Sequence, residues 1–221
     1  MPLFDFLEFI SDPQPRPAAM NMAIDEILLE KISVPALRVY RWLRPAVSFG
    51  CFEKYSAVEK RYSGREFVRR WTGGGIVLHG EDFTYSLLVP SDCALADMSP
   101  AHSYSAIHES LAQTMTDAGV PAFLTSDVSQ NNSSACFENA VPHDIMLDNR
   151  KIAGAAQRRT RNGLLHQGSI QGVELPANFA EGLAASLAAK VSQRSVTPSE
   201  VSAALALAES KYAAQQWTRK F

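Results

Sequence analysis

The feature that most constrains this chain is a run of three glycines, Gly73, Gly74 and Gly75, between two segments of strand-like composition. Without a Cβ atom, these residues can adopt positive φ angles, and their N–H groups can approach a ligand directly. The flanking residues 66–70 and 76–79 contain aromatic and β-branched side chains, which favours a strand on each side. Dinucleotide-binding motifs and P-loops place a helix after the glycines, so the arrangement argues against both.

The residues alone leave two interpretations of this glycine run. Three glycines by themselves are typical of a flexible hairpin tip. Here Arg69, Arg70 and Thr72 stand before the glycines and His79 follows them. These polar neighbours favour a loop that binds an anion or a carbonyl group.

Composition excludes several classes of protein. The chain has 221 residues, of which 46% are hydrophobic and 20% charged, which predicts one domain with a substantial core. A net charge of -2 gives no basic field, so we expect no nucleic-acid partner. No apolar run is long enough to span a bilayer, so we expect no membrane association. The three cysteines lack zinc or disulfide spacing, and the first residues do not resemble a signal peptide, which together predict a cytoplasmic location.

Strand-like segments fill the centre of the chain, and helical patterns lie towards its two ends. Apolar spacing predicts helices over residues 18–32 and 101–119, and the alanine-rich segments 178–190 and 197–217 complete the helical set. The order predicts an α+β fold with a mixed, mostly antiparallel β-sheet core flanked by helices. We expect a single domain over residues 1–221, in which residues 1–17 form an extended lead-in.

Two residues are candidates for covalent or charge chemistry. Cys136 follows a polar loop, and a thiolate presented there is a strong nucleophile that substrate can reach. The alternative is a small buried hydrophobic residue. Lys151 begins a strand whose next residues, including Gly154 and Ala155, are small enough for a ligand to pass closely. The alternative for this lysine is a solvated surface charge.

His79 and His166 are further candidates. Each imidazole can orient a carbonyl or transfer a proton near neutral pH. Each is equally consistent with a structural histidine whose hydrogen bonds are satisfied. No spacing of cysteine, histidine or carboxylate residues indicates a metal site.

Five separated stretches carry a resemblance to a known family. In chain order they are NMAIDE at 21–26, RRWTGGGIVLH at 69–79, TYS at 84–86, KIAGAAQ at 151–157 and LHQGSI at 165–170. Together they resemble the lipoate-protein ligase and octanoyltransferase family, which is distantly related to biotin-protein ligases. The resemblance extends to the tail at residues 209–217 and thus covers the chain from about residue 18 onwards.

The resemblance implies the fold of the biotin/lipoate protein ligase catalytic domain and an enzyme that attaches an octanoyl or lipoyl group to a lysine. The acceptor would be a lipoyl domain or an H-protein-like carrier. In this family the glycine loop lines the acyl and adenylate pocket, and the lysine that matches Lys151 contacts the acyl carbonyl or the phosphate. The implied substrate-binding residues are Arg70, Thr72, Gly73, Gly74, Gly75, His79, Gly154, Ala155, His166 and Gly168.

The sequence leaves the reaction type open. Ala135-Cys136-Phe137 resembles the motif of cysteine-dependent octanoyltransferases, which take the acyl group from acyl carrier protein and need no cofactor. The triple glycine is more like ATP-dependent lipoate ligases, which use ATP and Mg to form lipoyl-adenylate. We expect the transferase, with catalytic Cys136 and Lys151, because of this motif and because the chain ends where the catalytic domain of the family ends. A third alternative is a non-catalytic relative that binds acyl groups or a lipoyl domain.

Overall fold

A computed structural model describes residues 1–126 and 140–221, which form eleven strands and seven α-helices. The strands are β1 Phe4–Arg16, β2 Ala36–Trp42, β3 Ala46–Phe49, β4 Glu66–Arg69, β5 Ile76–His79, β6 Phe83–Pro90, β7 Phe123–Leu124, β8 Ile145–Leu147, β9 Arg150–Thr160, β10 Gly163–Ile170 and β11 Ala188–Arg194. The helices are α1 Ala18–Lys31, α2 Tyr55–Arg61, α3 Ala94–Asp97, α4 Pro100–Asp117, α5 Phe179–Leu187, α6 Pro198–Leu207 and α7 Gln215–Thr218, with a π-helical turn at Ala208–Tyr212. Within these described ranges, none of the helices has the length and apolar character needed to cross a membrane.

The larger sheet has eight strands in the order β11-β1-β2-β6-β10-β9-β8-β7. Strand β1 is parallel to both β11 and β2. The pairs from β2 through β6, β10, β9 and β8 to β7 are antiparallel. The sheet is therefore mixed and mostly antiparallel, which confirms the predicted fold class.

Helices cover both faces of this sheet and divide the core in two. On one face, Ile107 and Leu111 of α4 and Leu183 of α5 pack with sheet residues such as Leu87. On the other face, α1 and α6 form a second apolar cluster that contains Leu28 and Ala204. Because side chains alternate along a strand, each sheet residue belongs to one of these two environments.

The smaller sheet positions the glycine run. Its order is β4-β3-β5, with β3 parallel to β4 and antiparallel to β5. Since β4 and β5 are not neighbours, residues 70–75 cross the end of β3, and the hairpin-tip interpretation is excluded. Val47 and Phe49 of β3 pack with Val58 of α2, whereas Ser48 between them lies on the opposite face.

One segment goes beyond the sequence prediction and another differs from it. The extended lead-in is the long strand β1, and its irregular pairing between Asp12 and Arg16 accommodates Pro13 and Pro15. The predicted helix at 178–190 ends at Leu187, and β11 follows it at once. Here pairing with β1 outweighs the helical preference of the alanines, because tertiary context overrides a weak local propensity.

The C-terminal segment of the chain packs against α1. A capping box between Thr197 and Glu200 starts α6, which confirms the predicted helix start. The helix does not continue regularly to residue 217, because the π-helical turn interrupts it. Glu26 of α1 accepts a hydrogen bond from Lys211 at 2.6 Å and another from Tyr212. The NMAIDE motif of α1 and the tail motif are thus in direct contact, although they lie far apart in the sequence.

Candidate active site

A pocket lies between the two sheets, under the glycine run. Its cavity volume is about 40 Å³, room for a few water molecules, and the pocket is partly open to solvent. Apolar side chains of Met22, Trp42 and Val77 contribute to its walls. Of the residues predicted from the sequence, the structure brings together along this pocket Arg70, His79, Lys151, Gly154, Ala155 and Gly168.

Arg70 braces the glycine loop from inside. One guanidinium nitrogen donates to Ser48 Oγ at 2.7 Å, and another donates to the carbonyls of Gly73 at 3.0 Å and Gly75 at 2.8 Å. Gly74 between them has a φ of 79°, a left-handed conformation that glycine adopts without strain. Arg70 therefore fixes the shape of the loop as well as placing positive charge in the pocket.

Gly50, at the end of β3, is a site residue that the sequence prediction missed. A Cβ atom there would lie 1.9 Å from the carbonyl oxygen of Gly74. Its own N–H donates to the Gly75 carbonyl at 3.3 Å. Local sequence does not indicate this role, since the contact depends on a loop more than twenty residues later in the chain. The close approach requires glycine.

Thr72 ties the loop to the sheet and does not line the pocket. Its hydroxyl donates to Gln167 Oε1 at 2.8 Å, and Gln167 Nε2 donates to Asp25 Oδ2 at 2.7 Å. Asp25 also accepts hydrogen bonds from Arg38 at 2.7 Å and from Ser86 at 2.6 Å. All five residues are buried. Thr72 therefore connects the loop to a buried polar network in the core.

Both ring nitrogens of His79 are engaged. Nδ1 is 2.7 Å from Asp82 Oδ2, and Nε2 is 2.7 Å from Ser48 Oγ. The ring also stacks on Trp42, with 4.0 Å between the ring centroids. Since Ser48 accepts from Arg70, His79 holds Arg70 through the serine. This arrangement favours a positioning role over the proton-transfer role suggested by the sequence.

Asp82 is the charged end of this chain of hydrogen bonds. Burial alone would raise its pKa, but the charge and hydrogen bond of His79 outweigh burial. Hydrogen bonds from the Ser169 hydroxyl and the Gly80 N–H add to this and lower the pKa of Asp82 to about 2. Asp82 is thus a carboxylate throughout the ordinary pH range.

Asp82→Asn is expected to lower the free energy of unfolding by about 2 kcal/mol near neutral pH, from the depressed pKa. Because the folded-state pKa lies below the unfolded value, this contribution is present above about pH 4 and is lost as the pH falls towards 2. Urea unfolding of both proteins near pH 7 and at about pH 2.5 measures it. The exposed Asp92→Asn serves as the control. If Asp82→Asn lowers the free energy of unfolding by the same amount at both pH values, the lowered pKa of Asp82 is not the source of the stability.

Lys151 is buried and paired. Its Nζ lies 2.7 Å from Asp144 Oδ2, and the side chains are 7% and 0% exposed. A Cβ atom at Gly154 would lie 2.6 Å from Lys151 Cε, so the small residue makes room for the lysine side chain. This excludes the interpretation of Lys151 as a solvated surface charge.

Asp144 is the second site residue that the sequence prediction missed. It precedes β8, which is joined to β9 by a short turn, so the hairpin brings it to Lys151. A carboxylate near the start of one strand and a lysine at the start of its hairpin partner are the signal that was present in the sequence. The pair still required knowledge of the hairpin register.

His166 lies on the other face of the large sheet. Its neighbours Gln167 and Ser169 line the pocket, whereas His166 shares its face with Leu164 and Ile170 of the core. Its Nε2 is 3.3 Å from the Tyr85 hydroxyl and its Nδ1 is 3.2 Å from Gln157 Nε2. Burial holds its pKa well below the ordinary value, so His166 is neutral.

Gly168 lines the pocket and has a second role. A Cβ atom there would lie 2.3 Å from the Tyr85 ring, so the glycine leaves room for this ring on the other face of the sheet.

The predicted nucleophile Cys136 lies outside the described residues, so its place relative to Lys151 stays a prediction. Across residues 1–126 and 140–221, histidine, cysteine and carboxylate side chains form no group of three or more that could hold a metal ion.

The sequence matches a known family along most of its length. A family model described as the lipoyl protein ligase A/B catalytic domain matches residues 17–208. The chain belongs to this family. The resemblance seen in the five sequence stretches is thereby confirmed.

Curated relatives within the lipoyl ligase family include octanoyltransferases. Octanoyltransferase LipM of Brevibacillus brevis is 34% identical over 168 residues, which covers 69% of this chain and 61% of the relative. The protein of that name from Bacillus subtilis is 33% identical over 170 residues, covering 69% and 60%. The Clostridioides difficile protein is 35% identical over 164 residues, with the same coverage. The chain spans about three fifths of the length of these relatives.

Solved structures of the lipoyl ligase family share the fold. A bipartite lipoate protein ligase from Thermoplasma acidophilum, studied with its E2 lipoyl domain, has a TM-score of 0.73 at 19% identity, over 98% of this chain and 96% of that chain. Lipoate-protein ligase A bound with ATP has a TM-score of 0.71 at 21% identity, over 98% of each chain. Because both identities are below 25%, these two structures show that the chain shares their fold and show nothing more.

Proposed function

We propose that this member of the lipoyl ligase family is an octanoyltransferase that moves an octanoyl group from acyl carrier protein to a lysine of a lipoyl carrier domain. The observation that carries the proposal is Lys151, which lines a partly apolar pocket together with Arg70 and is paired with the buried Asp144. A fixed cation there suits a carbonyl oxygen that gains negative charge during acyl transfer. Relatives named octanoyltransferase, at 33–35% identity, support transfer over ligation.

In the first half-reaction, the Cys136 thiolate attacks the thioester carbonyl of the octanoyl carrier. The Lys151 ammonium stabilises the oxyanion of the tetrahedral intermediate. A new C–S bond to Cys136 forms and the C–S bond to the carrier breaks. The carrier leaves as a thiolate and takes up a proton. The acyl chain contacts Trp42 and Val77, and the pocket walls must move apart to admit it.

In the second half-reaction, the neutral amine of the acceptor lysine attacks the acyl-Cys136 thioester. A C–N bond forms, the C–S bond breaks, and the proton lost by the amine returns to the Cys136 sulfur. His79 is held by Asp82 and Ser48 on both ring nitrogens and Lys151 is paired with Asp144 as a cation, so the Cys136 sulfur is itself the group that takes up this proton.

A second candidate function is an ATP-dependent lipoate ligase. The triple glycine and the fold shared with an ATP-bound ligase favour it. When bound, ATP with Mg would activate the carboxylate of the acyl group as an adenylate. Arg70 and Lys151 line the pocket and fit the charge of an acyl-phosphate.

The two functions are separated by supplying each set of substrates to the purified protein with a lipoyl domain as acceptor. Octanoyl carrier protein without ATP should add an octanoyl group to the acceptor over many turnovers, measured by its mass. Lipoate with ATP and Mg should give no lipoylated acceptor and no pyrophosphate. Acceptor modification only with lipoate, ATP and Mg overturns the transferase. No turnover in either mixture supports the non-catalytic alternative.

A further inference from the structure

The hydroxyl of Tyr104 links the partner of Lys151 to the wall of the pocket. It donates to Asp144 Oδ1 at 2.6 Å and accepts from the Ala155 N–H at 3.0 Å. Lys151 contacts the other carboxylate oxygen of Asp144, Oδ2. Burial, and then the nearby charge of Asp144, hold the pKa of Tyr104 well above its ordinary value, so the hydroxyl stays a donor.

Helix α4, which carries Tyr104, also braces the turn that presents Asp144. One helical turn after Tyr104, His108 Nδ1 donates to the backbone carbonyl of His143 at 2.6 Å. His143 has a φ of 70°, an unusual conformation for a residue other than glycine that persists where its surroundings fix it. The Val141 N–H donates to Asp144 Oδ2 at 2.7 Å within the same turn. Both carboxylate oxygens of Asp144 therefore accept hydrogen bonds, Oδ1 from Tyr104 and Oδ2 from Val141.

We propose that Tyr104 is a positioning residue that sets the place of Lys151 through Asp144. The inference rests on the proposed function of Lys151 in acyl transfer. Without the hydroxyl, Asp144 Oδ1 loses its donor and the carboxylate can rotate, which moves the ammonium bonded to Oδ2.

Other titratable groups face this pair from the packed elements. Among the described residues they are Tyr85 of β6, His108 of α4, His143 of the turn and His166 of β10. Burial lowers the pKa of His108 to about 4, and burial also keeps His166 neutral. Neither His108 nor His166 therefore changes charge near neutral pH.

Tyr104→Phe is expected to reduce kcat for octanoyl transfer about 10- to 100-fold, with KM for both carrier proteins nearly unchanged, because the reacting groups are misplaced after binding. Tyr212→Phe is the matched control, because Tyr212 is a buried tyrosine that donates to a carboxylate, Glu26, away from the pocket. It should leave kcat and KM unchanged. A Tyr104→Phe protein with native kcat, or with a loss confined to KM, overturns the inference.

A measurement without turnover separates this inference from the proposed function. Lysine labelled with ¹³C at Cε gives an NMR signal for Lys151, identified by its loss in Lys151→Arg. At one fixed pH, the chemical shift of this signal should change in Tyr104→Phe and stay the same in Tyr212→Phe. If the chemical shift changes in a protein that transfers no acyl group, the positioning role stands and the proposed function fails. If transfer occurs and the chemical shift stays the same, the positioning role fails.

Discussion

Lys151→Met should lower kcat for octanoyl transfer by about 10²- to 10³-fold, the usual cost of removing one group that stabilises an oxyanion. The substitution keeps the length of the side chain beside Gly154 and removes its charge. It also leaves Asp144, which is fully buried, without its cation, so the free energy of unfolding should fall by about 3 kcal/mol. Steady-state kinetics and urea unfolding measure the two effects.

The double variant Lys151→Met with Asp144→Asn separates catalysis from folding. Replacing the carboxylate by a neutral amide removes the unpaired buried charge, so much of the stability should return while kcat stays low. Lys190→Met, on the exposed face of the edge strand β11, is the control for loss of a lysine. Native activity in Lys151→Met, or its recovery in the double variant, would show that the lysine has only a structural role.

Asp25→Ala should lower the free energy of unfolding by about 3 to 5 kcal/mol, one of the largest effects expected from a single substitution in this chain. The reason is Arg38, whose side chain is fully buried and donates to Asp25 at 2.7 Å and to Asp12 at 2.8 Å. Removing Asp25 halves the negative charge around this guanidinium. It also removes the carboxylate that accepts hydrogen bonds from Ser86 and Gln167.

Urea unfolding followed by circular dichroism measures the effect, with the exposed Asp5→Ala as control. The same variant should weaken substrate binding, because Gln167 connects Asp25 to Thr72 and so to the glycine loop. A loss below about 1 kcal/mol would mean that water or a rearranged Asp12 satisfies Arg38, and the network would not be a major source of stability.

Elements with a strong repeating pattern were predictable from the sequence. The helix at 18–32 and the strands at 66–70 and 76–79 correspond to α1, β4 and β5 within about two residues. Local patterns determine such elements because many residues contribute to one signal. Strand β11 was missed because its alanines favour a helix, and only its partner β1 makes it a strand.

The two arginines before the glycines show what local reasoning cannot supply. Both were considered together as positive charge near the loop, yet adjacent residues of a strand face opposite sides. Arg70 faces the pocket. Arg69 donates to the carbonyls of Trp217 at 2.9 Å and Glu53 at 2.7 Å, and so anchors the C-terminal helix α7. Its partners lie far away in the sequence, and no local pattern predicts them.

The candidate site was predictable in part for the same reason. Arg70, His79 and Lys151 were singled out by residue type and motif, and the structure places all three on one pocket. Asp144 and Ser48 were not, because each acts through a contact that depends on strand register. Sequence thus indicated the groups able to do chemistry, whereas the residues that orient them required the fold.

The most direct test of the cysteine-dependent transfer is the intact mass of the protein after incubation with octanoyl carrier protein in the absence of ATP. The native protein should gain one octanoyl group, and Cys136→Ser should gain none. Cys93→Ser, a partly buried cysteine away from the site motifs, should behave as native. An adduct that persists in Cys136→Ser, or a native protein that gains no mass while it transfers octanoyl groups, would contradict the thioester intermediate.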